Sequence, residues 1–246
     1  MRLIKINATN STNSFLKELA QNSSLEEYTI AVANTQTSGR GQMSNSWISE
    51  PYKNLTFSIF TPLTKLKIKH QAYLNFAVSL AIYDTLLTYN VPKLSIKWPN
   101  DIMSAEKKIC GILIETTFSH LQIKNTIIGI GLNVNQEKFP KKLFNASSLK
   151  NILKKEIDLE PLMNIIVEKI KYRISSIESG KFSQTHEEYH EALYKRGIPT
   201  AFVDKKTKLL FMGIITGVSS IGNLQIQLED DTIGEYGLKE VSFAKV

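Results

Sequence analysis

The apolar residues of the chain follow two alternating patterns, which predict a sheet interleaved with helices. Short runs rich in β-branched and aromatic residues are typical of buried strands, and apolar stripes at three- and four-residue spacing indicate helices that cover a sheet. The predicted strands lie at residues 28–34, 55–60, 94–97, 108–116 and 121–134. The predicted helices lie at residues 14–20, 68–89, 161–179 and 183–195. This mixture predicts an α+β fold with a mixed β-sheet covered by helices.

After Gly197 the pattern changes to short β-type runs separated by polar turns. Regularly spaced short strands of this kind are typical of a small barrel. The runs lie at residues 200–204, 209–217, 224–228 and 240–243. We therefore place a boundary near Arg196, which gives an N-terminal domain at residues 1–195 and a small C-terminal β domain at residues 196–246.

The composition favours a compact enzyme. The chain has 246 residues and is 42% hydrophobic, which is enough to bury a substantial core. Its apolar runs all fall short of the ~20 residues that a membrane-spanning helix needs. Residues 1–10 lack the apolar segment of a secretory signal, so we expect a cytoplasmic protein without membrane contact. The single cysteine, Cys110, lies in an apolar strand, where packing is a more common role than reactivity.

The formal net charge of +7 raises the possibility of a nucleic-acid partner. Lysines are concentrated at residues 65–69 and 138–155. Such runs are usually solvated faces, and we do not expect them to bind nucleic acid.

A glycine-rich loop at residues 37–47 lies between two predicted strands and contains Gly39, Arg40 and Gly41. Glycine allows close approach to the backbone, and backbone amides together with a guanidinium suit an anion. Taken alone, the loop is equally compatible with an ordinary turn.

Two further segments place polar residues beside strands. Residues 97–101 read Lys-Trp-Pro-Asn-Asp and are followed by Lys108 at the start of the next strand; a hairpin with a solvated loop is the simpler alternative. Residues 127–135 combine an apolar run with Gly129, Gly131 and Asn133, and glycine inside a strand often marks close approach by a ligand or another backbone.

A histidine motif offers a rival function. His186, Glu187 and His190 have the spacing of a zinc protease helix, in which the histidines bind the metal and the glutamate is the general base. A catalytic zinc needs a third protein ligand, and the other histidines, His70 and His120, lie in unrelated segments. A polar helix face is therefore the favoured interpretation.

A fourth polar segment, Ser-Thr-Asn at residues 11–13, precedes the three segments described above. The order and spacing of all four resemble the biotin protein ligase family, and the resemblance extends from about residue 5 onward. The resemblance implies a catalytic domain like that of class II aminoacyl-tRNA synthetases and an SH3-like C-terminal barrel. Lipoate or octanoate ligases of the same fold rank second, because they lack the Trp-Pro-Asn-Asp string. Some family members carry an N-terminal helix-turn-helix domain and act as repressors. Since the Ser-Thr-Asn segment begins at residue 11, we do not expect DNA binding.

The resemblance also implies roles for individual residues. Arg40, Lys108 and Asp101 would be catalytic. Biotin would be bound by Ser11, Thr12, Asn13, Gln36, Gly39, Arg40, Gly41, Gln42, Lys108, Gly111 and Gly131. ATP would be bound by Arg40, Trp47, Lys97, Asn100, Lys108 and Asn133, accompanied by Mg²⁺ but with no dedicated metal site in the protein.

The implied reaction joins biotin to AMP and then transfers biotin to a lysine of a biotin carboxyl carrier domain of a biotin-dependent carboxylase. The enzyme would act as a monomer or homodimer. This chain departs from many relatives at Gln42, Met43 and Ser44, where further arginines and a glycine are common. Less positive charge is therefore expected to hold the adenylate.

Overall fold

The computed structural model describes residues 2–63, 65–119 and 122–244, which form two β-sheets and five α-helices. The strands of the first sheet are β1 (Arg2–Thr9), β2 (Thr29–Gln36), β3 (Leu55–Pro62), β4 (Leu94–Lys97), β5 (Asp101–Ser104), β6 (Lys107–Ser119) and β7 (Gln122–Leu132). The second sheet contains β8 (Pro199–Asp204), β9 (Leu210–Val218), β10 (Leu224–Gln227), β11 (Ile233–Tyr236) and β12 (Val241–Phe243). The helices are α1 (Thr12–Asn22), α2 (Gln71–Thr88), α3 (Leu149–Leu153), α4 (Leu159–Glu178) and α5 (Phe182–Glu191).

The first sheet is mixed and has the strand order β1-β2-β3-β7-β6-β5-β4. β1 runs parallel to β2, and the other neighbouring strands are antiparallel. The predicted α+β class with a mixed sheet is thus confirmed. The sequence did not predict β1, an edge strand with mostly exposed or half-buried residues, or the short β5. The predicted start of the last strand, Leu121, lies outside the described residues.

Helices α2, α4 and α5 form a layer on one face of this sheet. α2 packs against α4 and α5 on one side and against β4 and β5 on the other. Because it is covered on both sides, α2 is apolar around most of its circumference, with Phe76 and Leu80 among its buried residues. α4 ends as predicted, just before Gly180, whose φ of 85° suits a helix terminus. α5 ends at Glu191, earlier than the predicted residue 195.

Helix α1 covers the opposite face of the sheet and contacts β2, β3 and β7. Alternate residues of a strand point to opposite faces. Phe57 and Ile59 of β3 therefore join the large core beneath α2, whereas Phe60 belongs to a smaller core with Leu16 of α1. Ser58 lies between Phe57 and Ile59 in the sequence, so its side chain points to the α1 face, where its hydroxyl contacts Asn13. This polar strip beside α1 is where the candidate site begins.

The second sheet is antiparallel with the order β11-β10-β9-β8-β12, consistent with the predicted SH3-like barrel. Two histidines of α5 contact it. Nε2 of His186 and Nε2 of His190 lie 2.6 and 2.9 Å from the carbonyl oxygen of Val218 in β9. A Cβ on Gly217 would lie 2.7 Å from the His190 ring, so this glycine allows the close fit.

These contacts give the histidine motif a packing role at the junction of α5 and the second sheet. Within the described residues, no group of three His, Cys, Asp or Glu side chains is placed to bind a metal. His120, one of the other histidines considered for zinc, lies outside the described residues.

Two expectations from composition can be compared with the structure. Cys110 is fully buried in β6, and burial raises the pKa of its thiol, in agreement with a packing role. Over the part of the chain that the structure describes, none of the helices combines the length and apolar character required to cross a bilayer.

Candidate functional site

A cavity of about 320 Å³ lies between the α1 face of the first sheet and the second sheet. Polar residues from β2, α1 and the loops form one wall, and the second sheet contributes Phe202, Leu224, Val241 and Phe243. Most residues predicted for the site line this cavity: Ser11, Thr12, Asn13, Gln36, Arg40, Gly41, Gln42, Trp47, Lys97, Asn100, Asp101, Lys108, Gly111 and Gly131. Gly39 and Asn133 were also predicted for the site but are not among the lining residues.

The glycine-rich loop folds as a tight hairpin along the cavity. The amide of Trp47 donates to the carbonyl of Gly39 at 2.8 Å, and the amide of Gly41 donates to Asn45 at 2.7 Å. Met43 has a left-handed φ of 57° near the tip. A Cβ on Gly39 would lie 2.5 Å from the Trp47 carbonyl oxygen, so Gly39 permits the loop to close. The closed hairpin aims Arg40 into the cavity.

The guanidinium of Arg40 forms a two-pronged ion pair with Glu115 of β6. Nη1 donates to Oε1 at 3.1 Å and Nη2 donates to Oε2 at 2.6 Å. Asn13 of α1 also donates to Glu115 Oε2, at 2.8 Å. Burial alone would raise the pKa of Glu115, but the hydrogen bonds from Asn13 and Arg40 outweigh it and lower that pKa. Glu115 is therefore ionised at neutral pH.

Lys108 lies in the same cavity and is paired with Asp101. Its Nζ is 2.6 Å from Asp101 Oδ1 and 5.6 Å from the centre of the Trp47 ring. The position of Asp101 is set by strand pairing. The β4–β5 hairpin places it opposite Lys97, and the pairing of β5 with β6 places it opposite Gly111. Arg40 and Lys108 are far apart in sequence, and the fold brings them to one space.

Glycines on β6 and β7 make room for two side chains. A Cβ on Gly131 would lie 2.3 Å from the indole of Trp47, and one on Gly111 would lie 3.1 Å from it. A Cβ on Gly129 would lie 2.2 Å from Oδ1 of Asn13. The close approach that these glycines permit is thus made by the protein's own Trp47 and Asn13. Gly111 and Gly131 also line the cavity, and their expected packing against biotin stays a prediction.

A buried relay of hydrogen bonds joins α1 to the strands. The Thr12 amide donates to Gln36 Oε1 at 2.8 Å, and the Ser58 hydroxyl lies 2.6 Å from Thr12 Oγ1 and 2.5 Å from Asn13 Oδ1. Ser11 occupies the N-cap position of α1 but makes no side-chain capping bond within the described residues. Thr12, Asn13 and Gln36 are thereby held in fixed orientations around one end of the cavity.

The two asparagines assigned to ATP differ in position. Asn100 lines the cavity, and its Nδ2 donates to the Ile112 carbonyl at 2.5 Å. Asn133 is buried beside β6, where its Nδ2 donates to the Ser147 carbonyl at 3.0 Å. Its Oδ1 has no hydrogen-bond partner among the described residues. In this structure Asn133 supports the segment that packs next to Lys108.

Lys97 links the cavity to the second sheet. Its Nζ lies 4.6 Å from the centre of the Phe243 ring and 5.9 Å from that of Tyr194. Burial lowers the pKa of Lys97, although the nearby carboxylate of Asp101 acts in the opposite direction. An aromatic face attracts a cation, so Phe243 helps to hold Lys97 in place.

Among the residues that contact the predicted ones, Glu115, Ser58 and Phe243 were not predicted for the site. Glu115 could have been found from the strand alternation, since it follows Gly111 by an even number of residues and therefore shares its face. The position of Ser58 depends on the pairing of β3 with β7, and that of Phe243 depends on how the second sheet packs. These two arrangements leave no local signal in the sequence.

Comparison with known proteins agrees with this geometry. The profile of the Biotin/lipoate A/B protein ligase family matches residues 6–133. The chain is 28% identical to the "Bifunctional ligase/repressor BirA" of Bacillus spizizenii over 247 residues, which cover 99% of this chain and 73% of that protein. It is also 28% identical over 131 residues to the "Biotin--[acetyl-CoA-carboxylase] ligase" of Mycobacterium tuberculosis, covering 52% of this chain and 47% of that one.

A solved structure resembles the whole chain. The biotin protein ligase from Aquifex aeolicus in complex with biotin and ATP superposes with a TM-score of 0.83 at 26% identity, covering 100% of this chain and 99% of that one. The family profile spans just over half of this sequence and includes the residues from α1 to the end of β7. The chain therefore belongs to the biotin/lipoate A/B protein ligase family.

Proposed function

We propose that this protein is a biotin protein ligase, which uses ATP to form biotinyl-adenylate and then transfers biotin to a lysine of a carrier domain. The convergence of Arg40 and Lys108 on one cavity carries the proposal. Ligases with this activity match nearly the whole chain in sequence and in fold. The relative named for acetyl-CoA carboxylase supports a carboxylase carrier domain as the acceptor.

Activation of biotin requires two anions to meet. The carboxylate of biotin attacks the α-phosphorus of ATP, and negative charge develops on the phosphoryl oxygens as pyrophosphate leaves. Fixed cations in a site shielded from water stabilise such charge more than water can. Arg40, Lys97 and Lys108 line the cavity and would supply this charge. Their positions on separate elements fix the distances between the charges before the substrates bind.

Biotin is a small apolar bicycle with a polar urea, so its pocket needs a few directed polar groups. Thr12, Asn13 and Gln36 form such a set, since each is held by hydrogen bonds to its neighbours. Ser11 adds a hydroxyl at the same end of the cavity. We assign the ureido ring to this end, which leaves the carboxylate directed towards Arg40 and Lys108.

Asp101 would serve the transfer step. Its carboxylate lies in the cavity beside Lys108 and can orient or deprotonate the incoming lysine amine. It also fits the requirement of Mg²⁺, which is usually held by one or two carboxylates together with substrate phosphates. When bound with ATP, Mg²⁺ would neutralise charge on the phosphates.

The glycine-rich loop would cover the reaction. Gln42 and Met43 replace the arginines of many relatives, so Arg40 carries the positive charge of the segment 39–44. A closed loop excludes water from the mixed anhydride, which would otherwise hydrolyse. With a single arginine, we expect this enzyme to release its adenylate more readily than relatives with more basic loops.

Biotin-dependent ATP–pyrophosphate exchange tests the proposal. Exchange that requires biotin, followed by labelling of a carrier domain, is the expected result. Exchange that depends on lipoate or octanoate instead would favour the second activity of the family. Absence of exchange with all three acids, in protein that is folded by circular dichroism, would refute an acid-activating function.

A further inference from the structure

Glu115 stands beside the proposed phosphate-binding arginine, and no step of the proposed reaction uses it. Its carboxylate engages both outer nitrogens of Arg40, at 3.1 and 2.6 Å. Two parallel hydrogen bonds of this kind form the geometry in which a guanidinium also binds phosphate. A phosphate that approaches the same edge of Arg40 must therefore displace Glu115.

The second contact of Glu115 reaches the other substrate site. Asn13 donates from Nδ2 to Glu115 at 2.8 Å and to the Leu113 carbonyl at 3.2 Å. On its other side, Oδ1 of Asn13 accepts from Ser58 at 2.5 Å. Glu115 is thus shared between a residue assigned to biotin and a residue assigned to ATP.

We propose that Glu115 is a positioning residue, a role that rests on the proposed function. It holds Asn13 against β7 and keeps Arg40 over the cavity until the phosphates of ATP take Arg40 from it. The side chains of Arg40 and Glu115 are 40% and 26% exposed, so solvent screens the pair. Partly exposed ion pairs of this type change an affinity by about 2- to 5-fold. Because ATP must break this pair in order to bind, the pair should weaken ATP binding by that factor in the unmodified protein.

Two substitutions separate the contacts. Glu115→Gln removes the charge that competes for Arg40, but its amide oxygen can still accept from Asn13. We expect the KM for ATP to fall about 2- to 5-fold and the KM for biotin to stay within about 2-fold of the unmodified value. Glu115→Ala removes both contacts. In this variant the KM for biotin should rise by about 3- to 10-fold, because Asn13 loses a hydrogen bond. Glu160→Gln, which removes an equal charge from an exposed pair with Lys5, is the matched control.

Equilibrium binding of ATP, measured by calorimetry, completes the test. If Glu115 acts through Arg40, then Glu115→Gln should strengthen ATP binding in the unmodified protein and leave it unchanged in an Arg40→Ala background. An equal gain in both backgrounds, or no change in either, would overturn the inference. A fall in kcat with the ATP KM unaltered would also overturn it, because Glu115 would then remain on Arg40 throughout the reaction.

Failure of the proposed function gives a different result. Without biotin-dependent exchange in the unmodified protein, the ligase assignment fails whatever Glu115 does. The calorimetric comparison still reports whether Glu115 competes with a nucleotide phosphate for Arg40.

Discussion

Replacing Gly129 with alanine should disturb the biotin end of the cavity through a single side chain. The added Cβ would lie 2.2 Å from Oδ1 and 2.9 Å from Cγ of Asn13, far inside van der Waals contact. Asn13 is held by Ser58, Glu115 and the Leu113 carbonyl, so it can move only by giving up hydrogen bonds. Overpacking of this kind, with the loss of those bonds, costs about 1–3 kcal/mol of the free energy of unfolding.

Thermal and urea unfolding measure this loss, and biotin-dependent exchange measures the KM for biotin, which should rise. Gly237→Ala is the matched control, because its Cβ would be 3.4 Å from the nearest atom, an ordinary contact. In an Asn13→Ala background the added methyl has room, so Gly129→Ala should cost little there. A full cost in that background, or no cost in the unmodified protein, would refute the steric argument.

The remaining predictions concern charge. Arg40→Ala and Lys108→Ala should each slow adenylate formation at least ~100-fold, equivalent to ~2.7 kcal/mol of barrier, whereas Lys206→Ala on an exposed turn should not; near-normal exchange rates would refute these roles. Burial lowers the pKa of His190 below its ordinary value of 6.5; the hydrogen bond to the Val218 backbone opposes this shift, and the charges of His186 and Arg196 add to it. The unfolded chain therefore binds more protons at acid pH, and the free energy of unfolding should fall as the pH drops through about 6.5; His190→Gln should flatten this dependence, and an unchanged slope would contradict it. Phe243→Leu should raise the KM for ATP about 2- to 5-fold by removing a ring beside Lys97, while the exposed Phe144→Leu should leave it unchanged; equal effects of the two would argue against the ring contact.

The sequence predicted the elements whose pattern is set by local burial. The run at 55–60 and the stripe of α4 are examples, since each has a continuous apolar face. It did not predict β1, which is held at the sheet edge by pairing with β2 and carries little apolar signal of its own. The domain boundary near Arg196 stays a prediction.

The site likewise combines residues that the local sequence indicates with residues that only the tertiary fold places there. Residue types and spacing indicated Arg40 and Lys108, and the fold brings them together, although their catalytic roles stay predictions. The partners that neutralise or orient them depend on sheet register and on loop closure. Glu115 meets Arg40 only because β6 and the glycine-rich hairpin share one side of the sheet, and Trp47 covers Gly131 only because that hairpin closes.

The placement of the two tryptophans has a practical consequence. The chain contains Trp47 and Trp98, and both line the cavity. Indole emission responds to local polarity, and both indoles lie at the cavity, so the tryptophan fluorescence of this protein reports on its candidate site. A titration with excitation that spares the tyrosines would follow occupancy without any attached dye, and stopped-flow mixing would give the rates of binding.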